Sequence, residues 1–237
     1  MTRPSLVIFD MAGTTIDDGG QVPAAFTATL AANNVAITAD QIAGVRGGSK
    51  RQAIRDLLRR SASGARPDEG ARSRADRIYG EFRINLAKSY IDGGIRSVPG
   101  ADRVIRELRG KGIKVALTTG FDRDIATLLL SMLGWTRQTI DVLVCGDDVP
   151  NGRPAPDLIL LAMMLIGVAD PTLVANVGDT TLDLESAARA GVGWNIGVLS
   201  GAHPRETLEK APHTAIIQSV ADLGEVLWSE RLKDLRP

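Results

Sequence analysis

Almost nothing in this chain ties it to an oxidising compartment, a membrane or a polyanion. There is one cysteine, Cys145, so no internal disulfide can form. It follows the apolar run Val142-Leu143-Val144 and reads as a small buried hydrophobe. The 28 Lys and Arg residues are balanced by 28 Asp and Glu, a formal net charge of zero. No broad field therefore draws nucleic acid or anionic lipid, and an anionic ligand has to be held by a local site. The apolar run after Met1-Thr2-Arg3-Pro4 stops at Asp10, too short for a signal peptide or a spanning helix, so the cytoplasm is the expected location and no membrane partner is expected. Internal repeats, coiled-coil patterns and low-complexity tracts are lacking. His203 and His213 have no partner at ligand spacing and receive no role. Trp135, Trp194 and Trp228 read as packing residues.

What is present is an alternation. The 237 residues are 44% hydrophobic, enough for a sizeable core. Short aliphatic runs at Ser5 to Phe9, Lys114 to Leu117, Val142 to Cys145, Leu173 to Val177 and Trp194 to Val198 are continuous in apolarity, as strands buried on both faces are. Helical patterns lie between them, at Ala101 to Lys111, Asp124 to Leu133, Pro156 to Ile166 and Leu182 to Ala190. This predicts an α/β fold with a Rossmann-like parallel sheet. From about Asp18 to Arg96 no strand is legible, only helical segments at Ala24 to Asn33, Ala39 to Val45, Lys50 to Arg60 and Ser73 to Lys88, with an exposed turn at Ser61 to Ser73. The expected organisation is an α/β core over 1–17 and 97–237, with an inserted all-helical cap over 18–96. Gly19-Gly20 and Gly93-Gly94 stand as hinge candidates at its two ends. Val220 to Leu235 reads as an amphipathic helix docked on the core.

In open α/β sheets ligands bind beyond the carboxyl ends of the strands. The residues there are Asp10, Thr118-Thr119-Gly120, Gly146-Asp147-Asp148 and Gly178-Asp179-Thr180. Any one set reads equally as a turn or helix cap; four together favour a site. A carboxylate can attack phosphorus, but an anion must then approach an anion. A hard divalent cation solves this, and Mg2+ prefers one or two carboxylates plus substrate oxygens. Asp10 as nucleophile, with Asp10 and Asp179 as metal ligands, fits that chemistry. Asp183, four residues on, either serves the metal through water or Asp179, or is a first-turn acid favoured by the helix dipole. The Thr118 hydroxyl and the Thr119 and Gly120 amides could hold phosphoryl oxygens, and Arg153 could neutralise the phosphoryl charge.

The motifs Asp10-x-Ala12-Gly13-Thr14, Thr118-Thr119-Gly120, Gly152-Arg153-Pro154-x-Pro156-Asp157 and Val177-Gly178-Asp179-Thr180-x-x-Asp183 occur in the order that resembles the haloacid dehalogenase superfamily of phosphotransferases. The resemblance implies nucleophile Asp10, phosphate-binding Thr118, basic Arg153, acidic Asp179 and Asp183, and a helical cap. It adds Gly13 and Thr14 to the substrate-binding residues. Superfamily phosphatases carry a second Asp two residues after the nucleophile as general acid. This chain has Ala12, which keeps only a backbone carbonyl for the metal. Loss of such an acid costs ~10²–10⁴-fold.

A different leaving group removes the need. Asp10-Met11-Ala12-Gly13-Thr14-Thr15 and Asp147-Asp148-Val149-Pro150-x-Gly152-Arg153-Pro154 resemble the phosphonatase (phosphonoacetaldehyde hydrolase) group. In that group a cap lysine forms a Schiff base with the substrate aldehyde and carbon leaves phosphorus as an enamine. Lys50 stands at the matching place, and a lowered pKa from burial or from Arg46 or Arg51 would help it react. The chain departs from phosphonatase at Arg46 (methionine there), Ala53 (histidine) and Phe121 (tyrosine), and so resembles the phosphonatase-like group. The expected substrate is phosphonoacetaldehyde or a related oxo-phosphonate. Arg46 joins Thr119 and Gly120 as a substrate-binding residue. A homodimer through the cap helices is compatible with the resemblance. The competing readings are a phosphate monoester phosphatase in which Lys50 only binds substrate, and a non-catalytic phosphate-binding protein that has kept the fold.

Overall fold

The computed structural model describes residues 3–61 and 69–228. Five of the aliphatic runs form parallel strands: β1 (Leu6–Asp10), β4 (Lys114–Thr118), β5 (Val142–Val144), β6 (Val174–Gly178) and β7 (Trp194–Val198). A sixth, β8 (Ala215–Ile217), joins them at one edge. The order is β5-β4-β1-β6-β7-β8, every pair parallel. All five residues of β1 are buried, as a central strand covered on both faces requires. Helices α5 (Ala101–Gly110), α6 (Arg123–Leu133), α7 (Asp157–Ile166) and α8 (Thr181–Ala190) alternate with the strands, and α9 (Arg205–Leu208) and α10 (Leu223–Leu227) follow. Strand β1 is flanked by β4 on one side and β6 on the other, so the strand order reverses about it. Ligand crevices open at such a reversal, and Asp10 is the last residue of β1.

Between β1 and β4 the chain leaves the sheet. It passes through β2 (Ile16–Asp17), then α1 (Gln21–Ala32), α2 (Ala39–Ala43), α3 (Lys50–Ser61) and α4 (Glu69–Gly93), and returns through β3 (Arg96–Ser97). The helices pack about Phe26 and Phe82, whose tilted rings have centroids 4.4 Å apart, among Leu30, Ile54, Leu57, Ile78 and Leu86, and this apolar group is continuous with the core through Met11 and Ile16. The two crossings are joined. β2 and β3 pair antiparallel, Asp17 opposite Arg96. Just outside that ribbon the Gln21 side chain donates to the Gly94 carbonyl at 3.1 Å and accepts from the Ser89 hydroxyl at 2.9 Å.

The structure corrects several expectations. The ribbon and β8 are too short to show a period in the sequence. Gly19, Gly20 and Gly94 have positive φ as hinge candidates should, but Gly93 does not and is the last residue of α4. Glu69 to Ser73 starts α4 rather than ending a turn; the rest of that expected turn, 62–68, lies outside the described residues. Where one amphipathic helix was expected from Val220, there is a 3₁₀ turn (Val220–Asp222) and the short α10; 229–237 lie outside the described residues. Among the described residues no helix is long and apolar enough to cross a membrane.

Candidate active site

The carboxyl ends of β1, β4, β6 and β7 converge with the α2–α3 loop on one small, partly open cavity of about 30 Å³, room for one or two waters. Asp10, Ala12, Asp179 and Thr180 line it from the core, together with Thr119, Gly120 and Phe121; Arg46, Gly47 and Lys50 line it from the helical insertion.

Asp10 is 6% exposed and accepts a hydrogen bond from Arg153 Nη1 at 2.5 Å. The same nitrogen lies 2.8 Å from Asp183 Oδ1, and Nη2 donates to the Thr118 hydroxyl at 2.7 Å and the Thr118 carbonyl at 3.2 Å. Burial works against the Arg153 charge, but Asp183 and Asp10 outweigh it and raise its pKa further. For Asp10 burial wins over Arg153, and the carboxyl is pushed up to about 6.

Asp179 is 2% exposed and is held from several sides. The Ala202 amide donates to Oδ2 at 2.6 Å and the Thr14 hydroxyl to Oδ1 at 3.3 Å. Gly13, at φ 93°, and Gly201 leave no room for side chains beside that carboxylate. Burial, then Asp10, then Asp183 push Asp179 up to about 8. The region thus gathers three buried carboxylates around one directly bound guanidinium. Two hard-oxygen carboxylates at one cavity wall, Asp10 and Asp179, form a donor set suited to a small divalent cation.

The α2–α3 loop reaches this wall because glycine lets backbones meet. A Cβ on Gly120 would stand 2.9 Å from the Gly48 carbonyl carbon, and one on Gly47 would stand 3.0 Å from Thr180 Cβ. This contact delivers Lys50, the first residue of α3, into the cavity at 7% exposure. Its Nζ donates to the Gly48 carbonyl at 3.1 Å and lies 5.0 Å from the Phe121 ring centroid. Burial lowers its pKa and Asp10 pulls the other way; the net direction is down. A lysine so placed gives up its proton more readily than one in water.

The expected residues divide in two. Asp10, Ala12, Arg46, Lys50, Thr119, Gly120 and Asp179 share the cavity, and Arg153 reaches it through Asp10. Thr118, expected to hold phosphate, is fully buried with its hydroxyl taken by Arg153, so Thr119 is the threonine on the wall. Gly13 and Thr14 pack against Asp179 instead of facing the cavity. Asp183 does not share a helix face with Asp179, because α8 begins only at Thr181. It forms a capping box with Thr180 and spends its other oxygen on Arg153. Gly146-Asp147-Asp148 does not reach the cavity. Asp147 and Asp148 bind Arg123, and Gly146 and Asp147 line a separate groove of about 540 Å³ against α3. Ligand atoms of Cys145, Asp147 and Asp148 come within 4.8 Å of one another, but the buried Cys145 thiol is pushed up to about 12, which is poor for a metal thiolate.

Ser200, Gly201 and Ala202 were missed, and His203 was given no role, although they follow β7 as Asp179 follows β6. Ser200 Oγ donates to the Gly13 carbonyl at 2.8 Å, and His203 Nδ1 accepts from the Thr181 amide at 3.1 Å. Inspecting the end of the fifth strand would have found them. Asp18 was also missed; it lines the cavity while its Oδ1 accepts from the Gly20 amide at 3.1 Å.

A family model described as haloacid dehalogenase-like hydrolase matches residues 4–191. Phosphonoacetaldehyde hydrolase of Bordetella avium is 32% identical over 206 residues, covering 83% of this chain and 72% of its own. A phosphonoacetaldehyde hydrolase-like protein from Oleispira antarctica superposes with a TM-score of 0.82 at 26% identity, covering 95% of this chain and 92% of the other. A hydrolase from Pseudomonas syringae does so with a TM-score of 0.81 at 28% identity, covering 92% and 95%.

Proposed function

The chain belongs to the haloacid dehalogenase-like hydrolases as a phosphonatase-like enzyme, and from that premise we propose that it cleaves the carbon–phosphorus bond of phosphonoacetaldehyde or a related oxo-phosphonate, using Mg2+, Asp10 and a Schiff base on Lys50. One observation carries the reading: Lys50 and Asp10 line the same small cavity, with no acid at Ala12 between nucleophile and leaving group.

In this mechanism the neutral Lys50 amine adds to the substrate carbonyl, water leaves, and the imine takes up one proton from solvent to become an iminium. Burial over Phe121 favours the neutral amine that this step needs. Asp10, oriented by Arg153 at 2.5 Å, attacks phosphorus. The electron pair of the breaking C–P bond enters the enamine, so no acid is required at position 12. The Thr119 hydroxyl and Gly120 amide are the donors for phosphoryl oxygens. Asp10, Asp179 and the Ala12 carbonyl would hold Mg2+, which supplies charge neutralisation between carboxylate and phosphonate. Asp183 acts one step removed, by fixing Arg153 and Thr180. At about 30 Å³ the cavity is too small for the substrate as it stands, so the helical unit must swing away at Gly19-Gly20 and Gly94 to admit it. In the same reading the helical unit is the cap, 18–96, and α4 is the seam of a homodimer, with Ile84 70% and Ile91 61% exposed two turns apart.

Borohydride reduction in the presence of phosphonoacetaldehyde tests the proposal. The expected result is a mass adduct on the Lys50 peptide and loss of turnover in Lys50→Arg. Absence of the adduct, with turnover retained in Lys50→Arg, rejects it. Turnover of phosphate monoesters by that variant then identifies a phosphatase.

A further inference from the structure

Three cationic side chains meet at the cavity, and two are committed. Arg153 is taken by Asp10, Asp183 and Thr118. Lys50 is held by Gly48 and Phe121 and is the group that condenses with the carbonyl. Arg46 is different. It is half-buried and lines the cavity, yet among the described residues its guanidinium has no hydrogen-bond or ion-pair partner. Its charge is felt by Asp179, where it opposes the upward push of burial and Asp10, and by His203, where it adds to the downward push of burial, but neither is bonded to it. Asp18, the lining acid that opens the insertion, is not paired with it either. A half-buried guanidinium at a cavity wall has lost part of its hydration, which an anionic ligand restores well. The phosphonate does not need it, since Thr119, Gly120 and the Asp10–Asp179 metal site already serve that end.

Resting on the Schiff-base reading above, we propose that Arg46 binds a second anionic group of the substrate, a carboxylate on the carbonyl carbon, so that the substrate class is the α-carboxylated oxo-phosphonates. The planar fork of arginine matches a carboxylate bidentately. Arg46 and Lys50 stand four residues apart on one wall, so a carboxylate bonded to the carbon that condenses with Lys50 is delivered to Arg46's side. The chemistry balances. Lys50 Nζ adds to the ketone and one water leaves; Asp10 attacks phosphorus and the C–P pair enters the enamine. A proton on the enamine carbon and one water then release a 2-oxo acid and free Lys50. A second water releases phosphate from Asp10, for a net consumption of one water.

The test compares kcat/KM for phosphonoacetaldehyde and 3-phosphonopyruvate, with Mg2+, in the wild type and in Arg46→Met and Arg46→Lys. The wild type is expected to favour the carboxylated compound by at least about 10-fold. Arg46→Met should shift the ratio toward the aldehyde by about 10- to 100-fold, the range for one charged hydrogen-bonded contact, mainly through KM; Arg46→Lys should recover part of it. A wild type that hydrolyses only the aldehyde, or a ratio that Arg46→Met leaves unmoved, overturns this inference and leaves the Schiff-base reading standing. Hydrolysis of neither compound, with no adduct on Lys50, overturns both.

Discussion

Replacing Gly201 by alanine should damage the proposed metal site without replacing any residue that lines the cavity. Gly201 does not have a positive φ, so alanine suits its backbone; the obstacle is Asp179. A Cβ at Gly201 would stand 2.5 Å from Asp179 Cβ and nearer still to its carboxylate. Carbon atoms settle at ~3.5–4.0 Å, so Asp179 must retreat by roughly 1 Å. That also stretches the 2.6 Å bond from the Ala202 amide. Metal–ligand distances tolerate only ~0.2 Å, and lost outer-shell support typically costs ~10–100-fold in metal affinity. At a Mg2+ concentration of 100 times the wild-type Kd, wild type gains about 2.7 kcal/mol from the ion; the variant should gain about 0.4–1.4 kcal/mol. Thermal unfolding with Mg2+ and with chelator reads this difference, and calorimetric titration gives the Kd. A variant with wild-type stability in chelator and an unchanged Mg2+ Kd would refute the reasoning, because Asp179 could then not be both confined by Gly201 and a ligand of the ion.

Three further outcomes follow from the same geometry. Asp179 and Asp10 have folded-state pKa values raised above their unfolded ones. The metal-free protein should therefore lose stability as pH rises from about 4, the unfolded carboxyl value, toward 8; Mg2+ should reverse the loss and Asp179→Asn should flatten the profile, and a metal-free Tm that instead climbs over that range contradicts the assignment. Arg153→Met leaves Asp10 and Asp183 buried without their shared cation, so chemical denaturation should show a loss of about 3–5 kcal/mol, and a loss below about 1 kcal/mol would mean the buried triad is not as drawn. If α4 is a dimer seam, Ile84→Glu with Ile91→Glu should convert a dimer to a monomer in light scattering, whereas an unchanged mass would place the contact elsewhere.

Much of the core was legible because its signals are local. A parallel strand buried on both faces leaves an unbroken apolar run, and Leu6–Asp10 and Trp194–Val198 show it plainly. Asp10, Lys50, Arg153 and Asp179 could be picked out because their motifs have fixed neighbours. What could not be read is how side chains divide between the cavity and its supports. Thr118 and Thr119 are adjacent and chemically identical, yet one hydroxyl faces Arg153 and the other residue faces the cavity. Asp183 looks like a metal ligand or a cap from spacing alone, and is in fact a cap that also grips a guanidinium 30 residues earlier. Ala202 carries no functional group at all; its contribution is a backbone amide, which no residue type announces. Two-residue pairings such as Ile16–Asp17 with Arg96–Ser97 leave no periodic trace.

That small ribbon has an implication for how the molecule can vary. Residues paired across antiparallel strands sit only about 5 Å apart, so the chain departs from the core at Asp17 and returns at Arg96 to nearly the same point. The sheet therefore does not sense the length of what lies between; the unit meets the core elsewhere, through the α2–α3 loop and through Arg83 on Asp122 and Asp124. A helical unit of another size could be grafted at this junction, or the unit excised and the gap closed with a tight turn, without moving β1 against β4. Selection for new substrates can thus rebuild the loop that carries Arg46 and Lys50 while the aspartates beneath it stay where they are.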